Sequence, residues 1–491
     1  MTWFRHLLAL GFAVTVLGTL TAAEPTKDAP KTKVSYYKDI RPIMQINCQG
    51  CHQPAKAQGG YVLTDYGEMI QKGNTGKDPI VKGKPDASLL LQQLLPQAGK
   101  PPAMPKDKEP LAPLQIDKIK QWIAEGAEDD TPASVRKVQI DEEHPPVYDL
   151  PPVITCVQFS PDGNLLAVSG YHEVLLHKAD GSALVARLIG TSERINSLAF
   201  SPDGKTLAVS GGNPGRFGEI QLWNVAKKEL KLSVPITFDT INGVSWSPDG
   251  AKIAFGCDDN TLRAIDANTG QQVLFQGAHN DWVLDTTFSL DGTFLISVSR
   301  DRSMKLTEVA TQRFIDNVTS ITPGALKGGL AAVALRPMAE RKTVKRDLET
   351  GGGEHLYNEL LNGGADGVPR LYKMHRESKR VIGDDANKIR EYEKMPGRIY
   401  AVAFNKDGSL FAAGSSSDGS GEARVYQTND GKRVSTFEGE RGGVYTVAWR
   451  PDGKAVANAG FDGAVRINDP MTGKLIKEFV PVPIISKTTT K

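Results

Sequence analysis

The stretch Ile195–Val225, INSLAFSPDGKTLAVSGGNPGRFGEIQLWNV, decides the fold of most of this chain. INSLAF reads as a strand that ends in the turn S-P-D-G, and TLAVSGG reads as a second strand. A polar loop follows, then the strand EIQLWNV, then ELKLSV at Glu229–Val234. Four short β-rich strands with turn residues between them make one blade of a propeller. The mark recurs as FSPDG at Phe159 and Phe200, WSPDG at Trp246, FSLDG at Phe288, FNKDG at Phe404 and WRPDG at Trp449. A degenerate copy, ALRPMAE, begins at Ala334. Most copies lie 41 to 47 residues apart, a period that belongs to propellers and solenoids. The strand content selects the propeller, and seven units predict seven blades over 151–482.

The copies resemble WD repeats of the bacterial type, in which S-P-D-G between the first two strands is a frequent mark. The Trp-Asp pair is absent, only QLWNV keeps its tryptophan, and Gly277-Ala278-His279 is a loose Gly-His box. The resemblance implies a protein-interaction platform. The fifth unit departs from the pattern. It carries the charged insert MAERKTVKRDLETGGGEH from Met338 and a second charged stretch, RESKRVIGDDANKIREYEK, from Arg376. Both mix signs and read as solvated loop, with a docking surface as the sharper alternative.

The 491 residues are too many for one ordinary domain. Lys and Arg total 59 against 57 Asp and Glu, so no basic face argues for a nucleic-acid partner. At the N-terminus Arg5 and His6 precede the apolar run Leu7–Leu20, and Thr21-Ala22-Ala23 supplies small residues for cleavage after Ala23. The run is shorter than the ~18–20 residues that cross a bilayer. Residues 1–23 therefore read as a signal peptide, and the expectation is a periplasmic or otherwise extracytoplasmic protein with no membrane span after cleavage.

Cys48-Gln49-Gly50-Cys51-His52 is a C-x-x-C-H run, the attachment signature of a c-type haem. Each thiol adds to one haem vinyl group, and the histidine next to the second cysteine supplies the proximal imidazole to iron. A single run predicts one covalent haem c, on Cys48 and Cys51 with His52 as ligand. Val34–Ile46 reads as a helix leading into the motif, with Pro42 as a kink. Leu114–Ala127 reads as a helix stopped near Gly126. A helix at each end is the order of a small all-α class I cytochrome c domain, here 34–130, followed by a Pro- and charge-rich linker at 131–150.

His52 is the only histidine between the cleavage site and residue 131, so a second histidine of this domain cannot be the sixth ligand. Met44 is too near the motif to reach the opposite face of a haem. Met69, in YGEMIQKG, reads as core. Met104, in the Pro-rich loop KPPAMPKDKEPL, is the preferred axial ligand, with Met69 or an open site as alternatives. YYKDIRPIMQINCQGCH, KGKPDASLLLQQL and PPAMPKDKEPLAPLQIDKIKQWIAEGA together resemble the cytochrome c domain of planctomycete exported proteins. That resemblance implies His and Met axial ligation, on His52 and Met104.

Cys156 and Cys257 fall on strands and read as lone buried cysteines. His172, His177, His279 and His375 are scattered without metal-like spacing. No nucleophile elbow, phosphate loop or pair of catalytic carboxylates occurs, so no catalytic residue is named. The sequence reads as a multidomain electron carrier that works with a redox partner protein, with a further protein partner on the propeller, rather than as an enzyme. The alternative is a propeller that is itself a catalytic oxidoreductase domain fed by the cytochrome; such a domain needs histidine or carboxylate ligands at its mouth. A haem sensor with an open iron site is the third reading.

Overall fold

The computed structural model of the protein describes residues 33–54, 56–132, 140–277, 279–321, 326–347, 352–439 and 442–485. The expected signal peptide lies outside the described residues, as do residues 133–139 of the linker. The chain divides into two compact units. One takes the residues up to Ile43 together with Ile80–Thr131, and the other takes Met44–Pro79 and everything from Pro132 on.

In the first unit the helix Pro113–Ala124 buries Ile119, Trp122 and Ile123. The Trp122 ring packs 5.6 Å from Tyr36, and its Nε1–H donates to the Glu128 carbonyl at 3.0 Å. Lys118 pairs with Asp39 at 2.7 Å, and the backbone N–H groups of Val34 and Tyr37 donate to Glu125 and Asp130. The first and last helical segments are thus tied together. The N-terminal helix differs from expectation. It is a π-helical turn, Tyr36–Ile40, followed by an α-helix, Arg41–Asn47. Pro42 lacks the N–H that would continue one ladder through this point. Ser88 is fully buried, accepts from the Val81 N–H and donates to the Lys84 carbonyl. Those bonds are the physical content of the serine in KGKPDASLL. Among the described residues no helix is long and apolar enough to cross a membrane.

The rest of the second unit is mostly β. Among the described residues five sheets have four strands each, and the first sheet has seven, all its neighbours sequential from Val157–Phe159 to Glu229–Thr237. The seven-stranded sheet arises because Leu184–Phe200 is a single strand of 17 residues. Its first half pairs with Tyr171–Lys178 and its second half with Thr206–Asn213. This architecture is that of a WD-type propeller.

The repeated turn is local chemistry. Ser201 donates to Asp203 at 2.7 Å and accepts from the Thr206 N–H at 3.0 Å. Gly204 sits at φ +71°, the left-handed region that suits glycine. In FNKDG, Asn405 replaces the serine and accepts from the Leu410 N–H at 3.0 Å, so the turn survives the substitution.

Each sheet shares a core with the next. Phe294 and Ile296 pack with Leu330, Leu360 and Tyr372. Leu361 and Leu371 pack with Phe411 and Tyr426. The last sheet packs on the first, where Ala457, Val465 and Ile467 meet Val157, Leu166 and Val168. The Ile154 N–H donates to Gly460 O at 2.9 Å across the same seam. Tyr148 forms a parallel bridge with Ile484, just outside the 151–482 limits read from the sequence. The Tyr148 hydroxyl donates to Glu173 at 2.7 Å, and Arg187 Nε donates to the same carboxylate at 2.6 Å.

The two charged stretches of the fifth unit are built into the fold. The first contains a hairpin, Thr343–Lys345 paired with Glu354–Leu356. In the second, Arg376 is 3% exposed and donates to Asp384 at 2.8 Å, while Arg380 donates to Asp316 at 2.8 Å. Ion pairing permits the burial that the composition argued against.

Glu173 is fully buried beside Arg187. Glu173→Gln removes the charge that compensates the guanidinium, and it should lower unfolding stability by about 2–3 kcal/mol. Urea denaturation of the full chain checks this; a change within error would mean that the seam does not depend on the pair.

Candidate functional site

The helix Arg41–Asn47 runs directly into the C-x-x-C-H turn. The Cys48 N–H bonds to Met44 O at 2.9 Å, and the N–H groups of Cys51 and His52 both bond to Cys48 O at 3.1 Å. One backbone turn therefore carries both thiols and the imidazole. Cys48 and Cys51 are half-buried.

The loop that follows returns to orient the ring. His52 Nδ1 lies 3.1 Å from the Tyr61 carbonyl oxygen, which can only accept, so Nδ1 carries the proton. The lone pair is then on Nε2, free for a metal. The Leu63 N–H donates to His52 O at 2.9 Å, and the Gln49 amide donates to Leu63 O at 2.8 Å. The Tyr61 hydroxyl donates to Met69 O at 2.7 Å. At Gly73 a Cβ would come within 2.6 Å of Gly59 O, so the loop closes on itself too tightly for any other residue.

Two thiols three residues apart and an imidazole with Nδ1 held and Nε2 free fit a covalently attached haem. Cys48 and Cys51 would hold its ring and His52 would meet its iron; bound there, the group supplies one-electron iron chemistry. Met104 belongs to the other compact unit. It is half-buried between Pro102 and Pro105, and its N–H bonds to Gln93 O at 2.9 Å. Met44 and Met69 are buried as core residues. The Tyr61 carbonyl is the one contributor absent from the sequence reading, and a backbone acceptor leaves no residue-type signal.

The remaining cysteines and histidines have structural surroundings. Burial pushes the Cys156 thiol up to about 11 and the Cys257 thiol up to about 12, so neither offers a ready thiolate at neutral pH. His279 bonds to Asp301 at 2.9 Å and to Ser297 at 2.8 Å, which gives the loose Gly-His box a role in packing its own sheet. Burial raises the Asp301 carboxyl, yet the bonds from His279 and Ser303 hold it well below the usual range. His177 Nε2 lies 3.0 Å from Pro481 O, and burial lowers the pKa of its ring. Among the described residues no three His, Cys, Asp or Glu side chains group so as to hold a metal ion.

The innermost strands surround a cavity of about 1130 Å³, lined in part by Thr155, Asn196, Asn242, Asp285, Tyr400 and Tyr445. Asp285 accepts from the N–H groups of Thr286 and Val333, each at 2.9 Å. Burial dominates those bonds and raises its carboxyl to about 7.

The repeats and sheets define the larger part as a WD-repeat domain, and comparison with known proteins agrees. Residues 233–266, 270–307 and 388–420 match the WD domain, G-beta repeat. Residues 157–247 and 419–486 match the WD40 domain of anaphase-promoting complex subunit 4. Residues 48–108 match the family Planctomycete cytochrome C. Together these matches correspond to a planctomycete-type cytochrome c segment fused to WD repeats.

Similar proteins include a WD repeat-containing protein 26 homolog of Arabidopsis thaliana, 24% identical over 45% of this chain and 32% of its own length. The eukaryotic translation initiation factor 3 subunit I of Drosophila simulans is 23% identical over 39% of this chain and 53% of its own. The subunit I of Aspergillus oryzae is 24% identical over 55% and 65%. The chain thus spans between 32% and 65% of the length of these relatives.

Asp285 makes a pH dependence. Its carboxyl is raised above its ordinary value of 3.8, so the folded state holds the proton more tightly than the unfolded state. The stability this supplies is fully present below pH 3.8 and is lost as pH rises through about 7. Asp285→Asn should flatten the stability profile between pH 5 and pH 8, read by thermal unfolding in matched buffers. An unchanged profile would show that the carboxyl is hydrated.

Proposed function

We propose that this chain is an exported c-type cytochrome that carries one covalent haem c for single-electron transfer, with the WD-repeat part as a protein-interaction platform. The observation that carries the reading is the His52 Nδ1 bond to the Tyr61 carbonyl, which leaves Nε2 free in the same turn as the thiols of Cys48 and Cys51. A fixed imidazole loses little entropy on ligation and keeps its orientation in both oxidation states. Electron transfer asks for that rigidity rather than for a substrate pocket or a catalytic base.

Met104 is the proposed sixth ligand. Pro102 and Pro105 limit the loop around it, which lowers the cost of holding a weak thioether on iron. The domain limits proposed are a signal peptide over 1–23, the cytochrome over 34–130, a linker over 131–150 and the propeller beyond it. Seven blades in a closed ring are supported by the division of Leu184–Phe200 between two sheets and by the core shared between the last sheet and the first. The Tyr148–Ile484 bridge argues that the ring includes both residues. The signal-like N-terminus and the haem-attachment motif both call for an extracytoplasmic location, the motif because a c-type haem is attached after export. A redox partner protein and a protein docked on the WD repeats are the proposed partners.

Mass spectrometry of the full-length product, expressed with export and haem attachment, should show a chain that begins near Glu24 and carries one haem. Cys48→Ser with Cys51→Ser should abolish the covalent adduct. Two haems, or haem retained in the double variant, would overturn the assignment. Metal analysis of the same protein should find one iron per chain and no second metal; a stoichiometric second metal would favour a catalytic propeller.

Thioether ligation raises the reduction potential relative to bis-histidine or water ligation. Met104→Ala should lower the potential, remove the weak far-red sulfur-to-iron band of the oxidised protein and open the iron to added ligands. Retention of that band would transfer the role to Met69.

A further inference from the structure

The insertion hairpin of the fifth unit brings a buried positive charge to a place where it forms no ion pair. Arg346 follows the strand Thr343–Lys345, and His355 lies in its partner Glu354–Leu356. His375 lies just beyond the strand Arg370–Lys373 of the fifth sheet, and Phe294 begins a strand of the fourth. The Arg346 guanidinium is 5.5 Å from the Phe294 ring centroid. The His375 ring meets Phe294 edge-on at 4.9 Å, and His355 is 4.9 Å from His375. Phe294 is 1% exposed, His375 3% and Arg346 7%.

Neither Nε nor Nη1 of Arg346 has a hydrogen-bond partner, and neither does either ring nitrogen of His375. None of the ion pairs among the described residues includes Arg346. Glu308 and Asp316 act on Arg346 only at longer range: Asp316 Oδ1 accepts from Arg380 at 2.8 Å, and Glu308 accepts from the Thr311 hydroxyl. A guanidinium cannot shed its proton, so burying it requires a counter-charge. His355 is less available, since its Nε2 lies 3.0 Å from Gly352 O. Burial, then His355 and Arg346, push the His375 imidazole down to about 3. It is therefore neutral and presents one N–H without an acceptor. Ordered water could satisfy the N–H groups but not the charge.

We propose that this seam under the insertion hairpin binds a small oxyanion, a carboxylate or an inorganic oxyanion, held by Arg346 and His375. The oxyanion supplies both the missing acceptors and a negative charge in direct contact, and it fastens the hairpin to the fifth sheet. Its presence is independent of the haem assignment.

The full-length protein, dialysed free of oxyanions, is titrated calorimetrically with sodium formate, acetate and phosphate against sodium chloride at equal ionic strength. One saturable site per chain is expected for at least one oxyanion, or one equivalent of a co-purified oxyanion released on denaturation and read by ion chromatography. Arg346→Met should abolish uptake, and His375→Phe should weaken it at least ten-fold. Arg346→Met should also melt no lower than wild type in oxyanion-free buffer and lose the rise in melting temperature that the oxyanion gives. If Arg346→Met does not fold, the wild-type titration and His375→Phe decide the matter. No saturable uptake together with no released oxyanion, uptake of chloride alone, or uptake undiminished in both variants would overturn the proposal.

Discussion

The second strand of each repeat unit buries a run of consecutive residues, and that constraint governs most of the molecule. In Leu165–Ser169 the last four residues are buried, and in Phe294–Ser299 all six are. Successive side chains of a strand point to opposite faces, so each sheet is apolar on both sides and each face needs a neighbour. A row of such sheets has two unsatisfied ends. Packing the last sheet on the first removes both, and the bonds from Ile154 to Gly460 and from Val157 to Thr446 serve that seam. The Tyr148–Glu173–Arg187 cluster stands beside the seam, where loss of one charge exposes the most.

The haem turn obeys a different constraint. On the proposed reading its energy would come from covalent bonds and metal ligation rather than from area buried, so a short segment would suffice. What the protein must supply is orientation. The helix Arg41–Asn47 presents the turn, and the loop through Tyr61 and Gly73 returns to fix the ring of His52. The WD-repeat part can serve as a scaffold without sharing any of this chemistry.

Much of this was legible in the sequence because it is local. S-P-D-G announces itself since serine, aspartate and glycine each act within five residues, as the bonds of Ser201 show. C-x-x-C-H is legible for the same reason. The parts that were not legible are long-range or carried by backbone. No residue type marks the Tyr61 carbonyl, and the Tyr148–Ile484 bridge joins the two ends of the repeat array. The charged stretches of the fifth unit read as solvated, because composition does not show that Arg376 and Arg380 find Asp384 and Asp316. Pro42 was legible as an interruption, though not as a change from π-helix to α-helix at Arg41.

The central claim is that Cys48 and Cys51 carry a haem through thioether bonds. An alkaline pyridine haemochrome spectrum of the purified full-length protein tests it most directly, since saturation of both vinyl groups shifts the reduced band away from that of unattached haem. The account predicts a c-type spectrum, one haem per chain, with the colour remaining in the protein after extraction with acidified organic solvent. A spectrum of unattached haem, colour lost to the solvent, or no haem at all would contradict it.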